Sequence, residues 1–260
     1  MQVLKLGGSV ITVKDEPMTP DMKNINRLVD EIKAAWPTPM ILIHGGGSYG
    51  HPYAKKYSLA DGYTSDHQII GYTKTHQAMV EINSIITDAL IERGIPAVSV
   101  TPSSFITTHE KRIISVDLEI LGQYIIKGFL PVLYGDVVLD KKQGFAILSG
   151  DQLAARVATS LGAKKIIFGA DVDGVYTSNP KLVEDAKLIK VLSLDKLEGY
   201  VKIGKSLSTD VTGGMLGKVS EAMKAVKSGV DVQIVNATKA DMILKALKGE
   251  KIAGTILTRG

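Results

Sequence analysis

Two glycine clusters, a few lysines and an aspartate are the residues whose types and spacing suit chemistry on phosphate. The first cluster, Gly7-Gly8-Ser9, ends an apolar run at residues 3–6 in which Lys5 is embedded. The second, Gly45-Gly46-Gly47, ends the run Ile41-Leu42-Ile43-His44 and is followed by Ser48, Gly50 and His51. Glycine has no Cβ, so such a backbone reaches positive φ and brings its N–H groups close to an anion. A helix opening at Ser48, its natural N-cap, aims orphan donors and a positive dipole end at the same point, with His51 in the first turn. His44, at the strand end, is read as structural, hydrogen-bonded to the glycine loop. A lysine inside an apolar strand is costly unless it serves a site. Lys14 follows on a loop, Ser149-Gly150-Asp151 joins a strand to a helix, and Lys218 comes just after Gly213-Gly214-Met215. Fixed cations and N–H donors are what phosphoryl transfer uses, because the enzyme mainly positions reactants and offsets charge on the transferring oxygens.

Other chemistries fit less well. Gly45, Gly47 and Gly50 satisfy G-x-G-x-x-G, but a dinucleotide site needs a second strand soon after, ending in an acidic residue. Residues 51–65 are polar and hold no such strand, which disfavours a dehydrogenase. The P-loop pattern and the protein-kinase H-R-D and D-F-G set are missing. The chain has no cysteine, which excludes disulfides, thiolate metal sites and cysteine nucleophiles. His67, His76 and His109 show no metal-ligand spacing, so no protein-built metal site is expected. Net charge is +4, dispersed and without basic blocks interleaved with aromatics, so nucleic acid is not an expected partner. No apolar run approaches a membrane span and the first residues read as a strand, not a signal peptide; a soluble cytoplasmic protein is expected.

The elements that must position these groups follow from periodicity. Thr19-Pro20 reads as an N-cap with proline at the first helical position, opening a helix to about Trp36. Residues 66–93 read as a helix with Met79, Ile82, Ile86 and Leu90 on one face. Four times a helix closes on glycine before a strand: at Arg93-Gly94, Lys127-Gly128, Leu161-Gly162 and Ser228-Gly229, leading into strands at 95–100, 129–134, 164–168 and 230–235. Such alternation predicts an α/β fold with a mainly parallel sheet covered on both faces. A hairpin is expected from 136–139 and 145–148. With 260 residues, 45% of them hydrophobic, the chain reads as one domain of two lobes, 1–163 and 164–260. Ser149-Gly150-Asp151, the run from Asp171 through Asp173 and Gly174 to Tyr176, Asn179-Pro180-Lys181, and Asp210-Val211-Thr212-Gly213-Gly214 all fall at strand or helix ends. Lys218 falls in the first turn of the last helix so opened. Carboxyl ends of parallel strands gather ligands, so these loops are expected to converge.

Taken together, Lys5-Leu6-Gly7-Gly8-Ser9, the Asp171–Tyr176 run and Gly213-Gly214-Met215 with Lys218 resemble the amino acid kinase superfamily over nearly the whole chain. Within it, the stretch from His44 to His51, with Ser149-Gly150-Asp151 and Asp210-Val211-Thr212-Gly213-Gly214, is similar to the isopentenyl phosphate kinase family. That resemblance implies a three-layer αβα sandwich around a mainly parallel sheet, usually a homodimer. It implies transfer of the γ-phosphoryl group of ATP, with Mg²⁺, to isopentenyl phosphate, a step of isoprenoid biosynthesis in the mevalonate pathway. Lys5 and Lys218 would hold ATP phosphates, Lys14 would stabilise the transferring group, and Asp151 would orient the lysines. Gly7, Gly8, Ser9 and Gly47 would line the phosphate track, and Asp171, Gly174, Tyr176 and Gly214 would contact the nucleotide. Gly46, His51 and Gly150 would bind the acceptor phosphate. Met79, Leu133 and Ile147 are candidates for the pocket of its five-carbon tail, whose burial contributes about 4 kcal/mol. A phosphate monoester has its second pKa at about 6, so at neutral pH it is a nucleophile without a general base. Its charge favours the cationic form of His51 over the opposing helix dipole. The alternatives are a kinase of the same fold for uridylate or a fosfomycin-like phosphonate, and a non-catalytic nucleotide- or oxyanion-binding protein.

Overall fold

The computed structural model describes residues 1–178, 180, 183–196 and 213–260. Its first half runs β1 (Gln2–Leu6), α1 (Gly8–Ile11), α2 (Met22–Ala35), β2 (Met40–His44), α3 (Gly47–Lys56), α4 (His67–Glu92), β3 (Ala97–Ser99), β4 (Ile106–His109), β5 (Arg112–Val116), α5 (Glu119–Ile126) and β6 (Leu130–Tyr134). The second half runs β7 (Asp136–Asp140), β8 (Gly144–Leu148), α6 (Gly150–Ser160), β9 (Lys165–Ala170), β10 (Val191–Ser193), α7 (Gly213–Lys227), β11 (Asp231–Asn236), α8 (Met242–Lys248) and β12 (Thr255–Thr258). Among the described residues no helix is long and apolar enough to cross a membrane.

The main sheet has the order β10-β12-β11-β9-β1-β2-β6-β3. It is parallel except where β11 meets β12, and β10 then runs with β12. Strands covered on both faces are apolar throughout, and β2 and β6 are buried at every position. Alternate side chains face opposite layers. Val3, Ile41 and Phe168 pack against α6 and α7 residues such as Leu153, Val157, Ala222 and Val226. Leu4, Leu6 and Leu42 pack against Ile25 and Leu28 of α2, Ile82 and Ile86 of α4, and Ile243 of α8. This is the expected three-layer sandwich. The same alternation turns Lys5, two residues after Val3, toward the α6–α7 layer.

The four helix-closing glycines behave as their positions imply. Gly94, Gly128, Gly162 and Gly229 have φ of 69°, 83°, 62° and 89°, the left-handed region that ends a helix. The hairpin also forms, with β7 and β8 registered from Asp136↔Leu148 to Asp140↔Gly144. It belongs to a second sheet, ordered β5-β4-β7-β8, that stands apart from the main one.

Three local readings are corrected. Helix α2 is capped by Asp21, whose carboxylate accepts the Asn24 N–H at 3.0 Å, while Pro20 pairs in extended conformation with Thr12. Helix α3 starts two residues early, with Gly46 as its cap in place of Ser48. Ser48 therefore lies inside it, and the Ser48 N–H donates to Thr12 Oγ1 at 3.0 Å. Lys218 is the sixth residue of α7, in its second turn. Asn179, Lys181, Asp210, Val211 and Thr212 lie outside the described residues. Helix α8 has no side-chain cap of its own. Glu31 of α2 supplies one, accepting N–H groups of Asp241, Ile243 and Leu244 at 3.1, 2.9 and 3.0 Å.

Because β1 and β2 are neighbours, their glycine turns meet backbone to backbone. A Cβ on Gly8 would lie 2.1 Å from the Gly47 nitrogen and 2.5 Å from its Cα, and Gly47 itself has φ +48°. Gly8→Ala is accordingly expected to lower unfolding free energy by about 3 kcal/mol, the upper range for overpacking. Urea unfolding followed by circular dichroism measures this, and a variant as stable as the parent would show that the turns can part freely.

Candidate active site

At the carboxyl ends of these strands, two lysines share one carboxylate oxygen. Lys5 Nζ lies 2.7 Å and Lys218 Nζ 2.9 Å from Asp151 Oδ1. Each comes from a different element. β1 aims Lys5 at the α6–α7 layer, α7 carries Lys218 down to the sheet, and α6 presents Asp151 in its first turn. Ser149 caps α6 by accepting the Asp151 N–H at 3.2 Å. Both lysines are buried, at 5% and 7% exposure, so neither is an ordinary solvated surface cation. The Lys218 ammonium also sits 5.2 Å from the centre of the Phe168 ring.

The electrostatics follow from two cations and one anion in little water. Burial pushes the Asp151 carboxyl up, but the charges of Lys5 and Lys218 outweigh it and hold the group below its usual range. Burial, then the like charge of Lys5, lowers Lys218 to about 8 against the pull of Asp151. The cluster carries one positive charge in excess, which suits a phosphate arriving beside it.

These groups open onto a cavity of about 1270 Å³. Its wall includes Gly7, Gly8, Ser9 and the exposed Lys14 from the first turn, and Gly46, Gly47 and His51 from the second. Gly150, where a Cβ would press within 3.3 Å of Lys5 Cε, lines it beside Asp151. Asp171, Gly174 and Tyr176 face it from the loop after β9. That loop is pinned by Asp173, which accepts from Asn236 Nδ2 at 3.0 Å and the Tyr176 hydroxyl at 3.1 Å and pairs with Lys239 at 2.5 Å. Gly214 lies in the first turn of α7.

Of the apolar candidates, Met79 and Ile147 line the cavity. Met79 does so because Gly46 and Gly50 leave room for its sulfur, where a Cβ would come within 2.9 and 2.8 Å. Leu133 is placed elsewhere: it is fully buried in the core shared by Val3, Ile41 and Leu153. Strand alternation turns it into the sheet's packed face and away from the strand ends.

The two histidines divide the labour. His44 is fully buried and stacked on Tyr134, ring centres 5.5 Å apart. Its Nδ1 lies 3.1 Å from the Gly45 carbonyl and its Nε2 3.1 Å from Asn83 Nδ2, which fixes the tautomer with hydrogen on Nδ1. Burial lowers it to about 4, so it braces the glycine turn as a neutral ring. His51 is exposed to the cavity. Partial burial among the walls, then the charge of Lys5, holds it below its ordinary pKa. Without a bound anion it is a neutral donor. A phosphate would restore its charge.

Sequence reasoning missed Thr75, Lys111, Arg112, Asp136, Gln152 and Glu221, all wall residues. Gln152, adjacent to Asp151, was the one most open to detection.

The model of the amino acid kinase family matches residues 1–236. The isopentenyl phosphate kinase of Methanothermobacter thermautotrophicus is 42% identical over 99% of both chains. A crystal structure of an isopentenyl phosphate kinase superposes with a TM-score of 0.88 at 39% identity, covering 99% of this chain and 100% of the other. Another, of an isopentenyl phosphate kinase with its substrate, has a TM-score of 0.79 at 31% identity over 99% and 100%.

The lowered Lys218 predicts a pH signature. Its cation is complete below about 8 and lost as pH rises through that value. kcat/KM for ATP, which reports the free enzyme, is therefore expected to fall above about pH 8, well below the value of about 10.4 for an ordinary lysine. Lys218→Arg keeps its charge and is expected to abolish that limb while lowering the rate. A pH–rate profile of the two proteins decides it, and an unchanged limb in the variant would assign the titration elsewhere.

Proposed function

This chain belongs to the amino acid kinase family and, within it, to the isopentenyl phosphate kinases, and on that premise we propose that it phosphorylates isopentenyl phosphate with ATP, releasing isopentenyl diphosphate and ADP. The observation that carries the reading is the buried Lys5–Asp151–Lys218 cluster, on a cavity that also has His51 and the apolar Met79 and Ile147 in its wall. An oxygen of the acceptor phosphate forms the new bond to the γ-phosphorus. The bond to the β,γ-bridging oxygen breaks, and ADP leaves with that electron pair. The acceptor oxygen is already ionised at neutral pH, so no residue has to remove a proton.

What remains is charge and alignment. Lys5 and Lys218 hold the phosphates of ATP, while Lys14, an exposed residue of the cavity wall, stabilises the transferring group. The glycine turns hold phosphate oxygens through N–H donors. His51, Gly46 and Gly150 hold the acceptor phosphate, and Asp171, Gly174, Tyr176 and Gly214 hold the nucleotide. Residues 1–163 form the acceptor lobe, which also lends Lys5 and its glycine turns to the phosphates of ATP, and 164–260 the nucleotide lobe. Asp151 is committed to two lysines and is not offered to a metal ion; Mg²⁺ arriving with ATP would supply further neutralisation of phosphate charge. The protein acts as a soluble cytoplasmic homodimer in isoprenoid biosynthesis.

Release of ADP with isopentenyl phosphate, dimethylallyl phosphate, uridylate and fosfomycin as acceptors tests the reading. The highest kcat/KM is expected for isopentenyl phosphate, and a preference for uridylate or fosfomycin would overturn it. Removing the charge-assisted bond with His51→Ala is expected to raise KM for isopentenyl phosphate roughly 10- to 100-fold while KM for ATP changes by less than about twofold. Unaltered acceptor kinetics would remove His51 from the site.

A further inference from the structure

A ring of contacts closes around the lysine pair, and we propose that Arg112, Gln152 and Glu221 are positioning residues that hold Lys218 against the phosphates of ATP. The proposal rests on the kinase reading above. The ring begins at Asp151, which binds Lys218. Its neighbour Gln152 accepts the Ile113 N–H through Oε1 at 2.9 Å and donates through Nε2 to the Lys111 carbonyl at 2.9 Å. These two bonds bracket Arg112 and fix the start of β5 to α6. Arg112 then reaches across to α7, donating from Nη1 to Glu221 Oε1 at 2.5 Å and from Nη2 to Oε2 at 3.0 Å. Glu221 lies one helical turn beyond Lys218 on α7, which returns the ring to Asp151.

Beyond this ring, the directional hold on α7 comes at its far end, where Arg259 donates from Nε to the Val226 carbonyl at 3.1 Å and from Nη2 to that of Lys227. The inner face of α7 is Ala222, Met223, Ala225 and Val226, and apolar packing of that kind is non-directional. It sets the depth of a helix better than its rotation or slide. A fork-to-fork Arg–carboxylate pair sets both, because two parallel bonds define a plane. The Glu221 side chain is only 12% exposed although that of Arg112 is half exposed, so the pair is shielded on its carboxylate side, and its worth here is alignment more than stability. Arg112 is on the cavity wall, yet two of its donors face a carboxylate whose charge would repel a phosphate there. A positioning role fits this geometry better than direct phosphate binding. A displacement of about 1 Å at a group that aligns reactants costs up to about 100-fold in rate, so small slippage of α7 is enough to matter.

The test is a double-mutant cycle on the full chain with ATP, Mg²⁺ and isopentenyl phosphate. Arg112→Gln and Glu221→Gln are each expected to lower kcat about tenfold, with both KM values within about threefold of the parent. The double variant is expected to be no slower than the worse single, because the two side chains act as one unit. The exchanged pair, Arg112→Glu with Glu221→Arg, is expected to regain most of the loss. Lys224→Gln serves as control: its ammonium touches the same carboxylate at 3.0 Å but is half exposed, and its kcat is expected to match the parent. Amide hydrogen exchange gives a readout independent of turnover. Helix α7 is expected to exchange faster in Arg112→Gln and Glu221→Gln alike, and at the parent rate in Lys224→Gln. Losses that multiply in the double variant would overturn the proposal, as would normal kcat and exchange in the singles. So would a raised KM confined to Arg112→Gln, which would make Arg112 a substrate ligand. Failure of the parent to turn over isopentenyl phosphate would overturn the kinase reading alone; the exchange comparison then decides the ring.

Discussion

A single carboxylate oxygen, Asp151 Oδ1, holds two ammonium groups that would otherwise drive each other apart. Two buried cations with one anion leave a net positive charge in poor solvent, a state a protein keeps only where a ligand completes it. The approaching triphosphate does so. The excess positive charge of the cluster is what the phosphates of ATP can use. The remaining architecture serves this point: strand alternation in β1, a capped helix start in α6 and a long helix α7 deliver the three groups from three directions.

Much of this was legible because the signals were local. A helix closed by glycine and followed by an apolar strand reports itself within about ten residues, and all four such strands begin within two residues of their reading. Lys5 stood out as a charge in an apolar run, and the two glycine turns stood out by composition. Most of the errors trace to partners distant in sequence. Thr19-Pro20 looked like a helix start, yet Asp21 had the better-placed oxygen and left Pro20 to pair with Thr12. Ser48 looked like a cap, but the acceptor for its N–H is Thr12. Leu133 looked like a pocket residue until the register of β6 showed which way it faces.

The hairpin of β4 and β5, which carries Arg112, left no mark in the sequence for a more interesting reason. Its turn uses Glu110 and Lys111 at φ 49° and 65°, a left-handed pair normally announced by Asn or Gly. Asp140, from the neighbouring hairpin, makes that turn tenable. Its carboxylate accepts N–H groups from Glu110, Lys111, Lys142 and Gln143, and the Thr108 hydroxyl. Burial pushes this carboxyl up, but the donors together hold it far below the ordinary range. One side chain thus organises two turns at once, and no local pattern could show it.

The ladder between β1 and β9 carries a last consequence. Five residue pairs, from Gln2↔Lys165 to Leu6↔Gly169, join the half that would receive the acceptor to the half that would receive the nucleotide. Parts sewn together along a common seam resist parting like the jaws of a clam, because pulling the strands apart would tear peptide hydrogen bonds, and twisting of the sheet is the motion left to them. The spacing between the two halves is thus written into the pleat of the main chain.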